Sequence, residues 1–117
     1  MRVLNIGTKK YTTVQVLDEP GAGGANHKYS VSTTQEPSTI LGSIDFQNGP
    51  IKESGVNGLM NEDLIAIVID RMQGFQSGQY KCRENAVALT KLEEALMWLR
   101  KRTQDREDRG VEGTSTV

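Results

Sequence analysis

Arg102 and Arg106 stand four positions apart in a segment patterned as a helix, so their guanidinium groups lie one above the other on one face. Like charges at that spacing repel, which leaves two roles open. Two rigid forks suited to phosphate geometry can bind an anion such as a pyrophosphate. Alternatively, with Arg100, Lys101 and Arg109 they complement the negative end of the helix, helped by an Asp105–Arg109 pair. Phe75 is a second candidate, because it sits in a break between two helical patterns, beside Gly74 and Ser77-Gly78. It either plugs the turn as an apolar cap or faces a ligand. Asn85 stands at the polar start of a leucine seam, where it either reads a base edge or fixes helix register.

Catalysis finds less support. His27 is the sole histidine, and no Ser or Cys is spaced to sit beside it, so it suits a turn or hydrogen-bonding role better than general-base chemistry. The loop Pro20-Gly-Ala-Gly-Gly-Ala-Asn-His27 is glycine-rich, yet no Gly-Lys-Ser/Thr follows and it feeds a strand, so it connects a hairpin instead of cradling a nucleotide for hydrolysis. Cys82 lies at a helix start, where the dipole can lower a thiol pKa; a packed, inert cysteine is the stronger expectation. No metal-ligand spacing, paired catalytic carboxylates or nucleophile motif appears. The expected state is a non-enzyme without metal or cofactor.

Two helical patterns position the candidates. The first, Asn61 to Met72, opens with an N-cap and two carboxylates and closes at Arg71 and Gly74. Its Leu64, Ile65, Ile67, Val68 and Ile69 lie on nearly every side, which implies burial all round. The second runs from about Tyr80 to Asp108, with Leu89, Leu92, Leu96 and Leu99 on one face; the same count begins at Asn85 and ends at Thr103 and Arg106. A second stripe joins Ala88, Lys91, Ala95, Trp98 and Arg102. Such a helix reaches roughly 40 Å and outruns its partner in the hairpin. The overhang calls for another surface, most simply another copy of the chain.

Residues 1–57 differ in texture, being rich in Gly, Thr, Ser and Val and holding all three prolines. Thr12–Leu17, His27–Ser32 and Gly42–Phe46 alternate as strands, with turns at Pro20-Gly21, Glu36-Pro37 and Asn48-Gly49-Pro50. The expected fold class is α+β: a small N-terminal antiparallel sheet of three or four strands over residues 1–57, then a helical hairpin over 58–117. Gly55–Gly58 makes the linker, the hairpin covers the sheet, and Gly110–Val117 forms a short flexible tail.

Composition sets the outer bounds. Across 117 residues, 36% hydrophobic and 5% aromatic content is lean for a self-sufficient core, so an oligomer is expected. A net charge of −1 gives no general attraction to nucleic acid or to a membrane surface, so any phosphate must be bound locally. The single cysteine suits a reducing cytoplasm, and no apolar run approaches the ~18 residues of a membrane span.

The runs Asn61–Phe75, Cys82–Leu99 and Arg106–Thr114 together resemble the phage-encoded hairpin family of immune-signal sponges. That family includes the first type of Thoeris anti-defence protein and the anti-CBASS sponge. The resemblance covers residues 60–114, and the β-rich half with Gly21-Ala-Gly-Gly-Ala-Asn-His-Lys-Tyr29 makes the chain more similar to the Thoeris type. The resemblance implies capture, without degradation, of a glycocyclic ADP-ribose made by TIR-domain enzymes in the host cytoplasm. It also implies dimers and larger rings of dimers, up to a hexamer, and a second site for cyclic di- or trinucleotides. By the family pattern the ligand residues fall on Phe75, Asn85, Arg102 and Arg106. The competing expectation is a small phage regulator or scaffold that binds protein or DNA through the basic helix end; the net charge of −1 counts against DNA.

Overall fold

The computed structural model describes residues 1–7 and 9–117. Its chain divides into two compact units, Met1–Leu59 and Met60–Val117. The first is a four-stranded antiparallel sheet in the order β1 (Arg2–Val3), β2 (Thr12–Val16), β3 (Lys28–Thr33), β4 (Ile40–Asp45). The short β1, which carries no alternation long enough to read from sequence, pairs Arg2 with Val16 and Val3 with Gln15. In the central pairing Val14 lies opposite Val31 and Val16 opposite Tyr29; across the next, Tyr29 lies opposite Ile44. Directly opposed residues share a face, so these side chains form one apolar surface, while Gln15, Ser30 and Ser43 form the polar one. Phe46 meets Tyr29 edge-on, with ring centroids 5.7 Å apart.

The glycine-rich loop is a hairpin connection, as its failure to feed a helix implied. It makes a single 3₁₀ turn at Ala22–Gly24, tied by Gly21 N to Ala25 O at 2.8 Å. The Asp18 side chain organises its return: one carboxylate oxygen accepts from the His27 backbone N–H at 3.0 Å, and the other accepts from Lys28 N at 3.3 Å. The Asn26 amide donates to Asp18 O at 2.7 Å. His27 is 8% exposed, and its Nε2–H donates to the Ala22 carbonyl at 3.0 Å, a structural bond that fixes the tautomer.

The segment after β4 is more ordered than its glycines suggested. A short helix, α1 (Ile51–Ser54), follows Pro50, and Leu59 then forms a parallel bridge to Phe46, with Leu59 N bonded to Asp45 O at 2.8 Å. Gly58 is required by that approach, because a Cβ there would overlap the Phe46 carbonyl group. The Gln47 amide and Asn57 knit the segment to the sheet end through bonds of 2.7–2.9 Å.

The second unit is the helical hairpin α2 (Asn61–Gln76) and α3 (Arg83–Asp108). The cap of α2 is one residue earlier than the Asn61 expected: Met60 is the N-cap, and its N–H donates to the Asp63 carboxylate at 2.8 Å. The helix also continues through Gly74, which has ordinary helical backbone and ends nothing. Asn85, Leu89, Leu92, Leu96, Leu99, Thr103 and Arg106 form the half-buried row of α3, the seam read from the heptad count, while Ile65, Ile69 and Met72 form that of α2. Burial all round α2 does not occur within one chain, since Ile67 is 62% exposed and Val68 is also exposed.

At about 1.5 Å per residue α3 outruns α2 by roughly 15 Å. Part of the surface this overhang needs comes from the chain itself. The Arg106 guanidinium donates to Val111 O at 3.0 Å and Thr114 O at 3.1 Å, which folds residues 111–114 back against α3 and leaves them half-buried. The tail expected to be flexible is thus anchored over this stretch. Val16, at 1% exposure, is the buried hydrophobic residue among the described residues, and neither long helix contains a fully buried side chain. Among the described residues, no helix is long and apolar enough to cross a membrane.

Candidate functional site

Phe75 lies in the last turn of α2, not in the interhelical break where its flanking glycines had placed it. Its ring is 37% exposed, and the Arg71 guanidinium carbon stands 5.1 Å from the ring centroid. One turn of helix separates the two, so the pairing follows from their spacing. In the sequence Arg71 signals only a helix end; as a cation over one ring face it leaves the opposite face for a stacking partner.

The turn that follows is closed by Gln76, whose amide makes reciprocal bonds with the Cys82 backbone: Cys82 N to Oε1 at 3.1 Å and Nε2 to Cys82 O at 3.2 Å. This fixes where α3 begins and therefore where Asn85, in its first turn, stands relative to the end of α2. Cys82 is the N-cap of α3 and is exposed, which corrects the expectation of a packed cysteine.

Arg102 and Arg106 occupy the other end of the hairpin. They line a groove of about 600 Å³ between the end of α3 and the returning tail, together with Trp98, Lys101, Asp105, Arg109 and Thr114–Val117. Lys101 is neutralised in part by Asp105 at 2.9 Å. The Arg106 guanidinium is already engaged, because its Nη2 donates to the carbonyls of Val111 and Thr114. The groove therefore presents cationic groups beside an indole and a hydroxyl-bearing tail segment, a donor set suited to a phosphorylated ligand.

The four candidates thus form two pairs. Phe75 and Asn85 mark the turn end, whereas Arg102 and Arg106 mark the overhang; Asn85 and Arg102 lie about 25 Å apart along α3. A nucleotide that touches all four must bridge two chains.

Comparison with known proteins agrees with the hairpin. Residues 40–104, which run from β4 to the last turns of α3, match the family described as Acb2/Tad1, hairpin domain. The chain belongs to this family. It is also similar to Thoeris anti-defense 1 of Bacillus phage SBSphiJ7, at 57% identity over 94 residues, or 80% of this chain. The chain spans 64% of that relative's length. The Acb2/Tad1 match takes in Phe75, Asn85 and Arg102 and stops two residues before Arg106. The groove's tail wall thus lies beyond the matched hairpin domain.

Proposed function

We propose that this chain is a phage anti-defence protein that binds and sequesters a glycocyclic ADP-ribose made by TIR-domain enzymes, so that the Thoeris effector is not activated. The name of its Bacillus phage relative, Thoeris anti-defense 1, supports the biological setting. The observation that carries the chemistry is the division of the hairpin into an aromatic end at Phe75 and a guanidinium end at Arg102 and Arg106. Adenine stacks on the open face of Phe75, a contact of about 1 to 3 kcal/mol. Asn85 hydrogen-bonds the base or its ribose, and the arginines hold the pyrophosphate of the same ligand.

Since one chain separates these ends, an antiparallel partner supplies the second. The exposed apolar side chains between them, Ile67 and Val68 on α2 and Met97 on α3, are the surface such a partner covers. Ile67 is 62%, Val68 42% and Met97 55% exposed in one chain, so covering what remains of them adds favourable apolar burial to such a contact. The ligand is bound and released unchanged, with no bond made or broken, and the protein acts in the host cytoplasm where the signal is produced.

The test is to incubate the protein with a TIR-enzyme product, remove unbound material, denature by heat and chromatograph the supernatant. Recovery of the intact cyclic compound is the expected result. A chemically altered product shows an enzyme, and absence of capture favours a regulator or scaffold.

A further inference from the structure

We infer that Trp98 is a further ligand-contacting residue, which packs its indole face against the ribose adjoining the pyrophosphate. The inference rests on the proposed capture of a cyclic ADP-ribose and deepens it. Trp98 lines the same groove as Arg102 and Arg106, stands one helical turn before Arg102, and is 57% exposed. A flat aromatic left that open beside guanidinium groups lacks the cover that its size ordinarily earns.

The ligand's parts determine what Trp98 meets. Phe75 has one face covered by Arg71 and so has one face for adenine. The pyrophosphate belongs to the arginines. A ribose joins these parts, and Trp98 stands one helical turn, about 6 Å of axial rise, before Arg102, so a sugar next to a phosphate held by Arg102 comes within reach of the indole. The groove of about 600 Å³ is wide enough for a sugar phosphate between the indole and Thr114–Thr116.

Trp98 is the sole tryptophan, so its emission reports this position alone. Titration of the wild-type protein with glycocyclic ADP-ribose, followed in parallel by calorimetry and by acrylamide quenching, tests the inference. The expected result is a change in emission that saturates with the binding heat, and a several-fold fall in acrylamide access on saturation. Trp98→Phe should bind within about 5-fold of wild type, and Trp98→Ala more than 5-fold worse, with solution mass unchanged in both. Binding heat without any change in emission or quencher access overturns the assignment of Trp98 and leaves the capture function standing. Emission that is already shielded before ligand is added, and unresponsive to it, places Trp98 in a subunit contact and also overturns the assignment. Absence of binding heat overturns both.

Discussion

The guanidinium carbon of Arg71 lies 5.1 Å from the centroid of Phe75, one turn further along α2. The arginine holds the ring from one side and adds positive potential behind any base stacked on the other. Removing the ring by Phe75→Ala is expected to weaken binding by about 1 to 3 kcal/mol without unfolding the chain, since Phe75 is not in the half-buried row. Arg71→Ala should weaken binding by about 0.5 to 1 kcal/mol, the size of an exposed cation–π contact. Calorimetric titration checks both.

Arg102 and Arg106 are expected to lose about 2 to 4 kcal/mol of binding each on substitution by Ala, because a desolvated phosphate is left short of a charged donor. Lysine should rescue only in part, as it retains charge without the planar fork. The tail separates the two arginines. Only Arg106→Ala also frees the carbonyls of Val111 and Thr114, so faster amide exchange across residues 111–114 should accompany that variant and not Arg102→Ala. Arg100→Ala, outside the groove, should leave binding within about 0.5 kcal/mol of wild type.

Much of this was legible in the residue pattern. The heptad count from Asn85 to Arg106 gave the half-buried row of α3 position by position, because a long helix with one apolar seam has few other ways to pack. The β2 and β3 strands were legible from alternation, and the loop role of the glycine run from its context. What failed was local. Gly74 reads as a stop in the sequence, yet a helix tolerates glycine at a modest cost when neighbouring turns pack, so Phe75 falls inside α2. The Arg106 latch on Val111 and Thr114, and the Leu59 bridge to Phe46, involve backbone partners that carry no residue-type signal.

The two glycines that misled or closed a segment make opposite predictions. A Cβ at Gly74 meets no neighbouring atom within 4 Å, and its backbone is helical, so Gly74→Ala should stabilise the hairpin by about 0.5 to 1 kcal/mol. Gly58→Ala should destabilise the first unit by about 1 to 3 kcal/mol, because the new methyl group overlaps the Phe46 backbone. Thermal unfolding of the two variants would show the reversal of sign.

Acid should loosen the glycine-rich hairpin through Asp18. Desolvation pushes its carboxyl up, but bonds from the His27 and Lys28 backbone N–H groups and the Asn26 side chain outweigh it, so the folded pKa falls below the ordinary 3.8. A depressed folded pKa means that the carboxylate's stabilisation is fully present above about 3.8, the unfolded value, and is lost as pH falls through the lower folded one. Asp18→Asn should be less stable than wild type at pH 7 and should lack this acid-dependent component. Urea melts across pH 2 to 5 would resolve the difference.

A mixing experiment tests the shared pocket most directly. Phe75→Ala and Arg102→Ala each damage a different end of the hairpin, so neither variant alone should hold a site of wild-type affinity for glycocyclic ADP-ribose. When the two are unfolded together and refolded as a mixture, mixed dimers pair an intact Phe75 end with an intact Arg102 end, and about a quarter of the wild-type sites should return. Calorimetric stoichiometry near that value, with wild-type affinity, is the predicted result. A mixture that holds no site of wild-type affinity, while wild type carried through the same treatment binds fully, would contradict a pocket built from two chains.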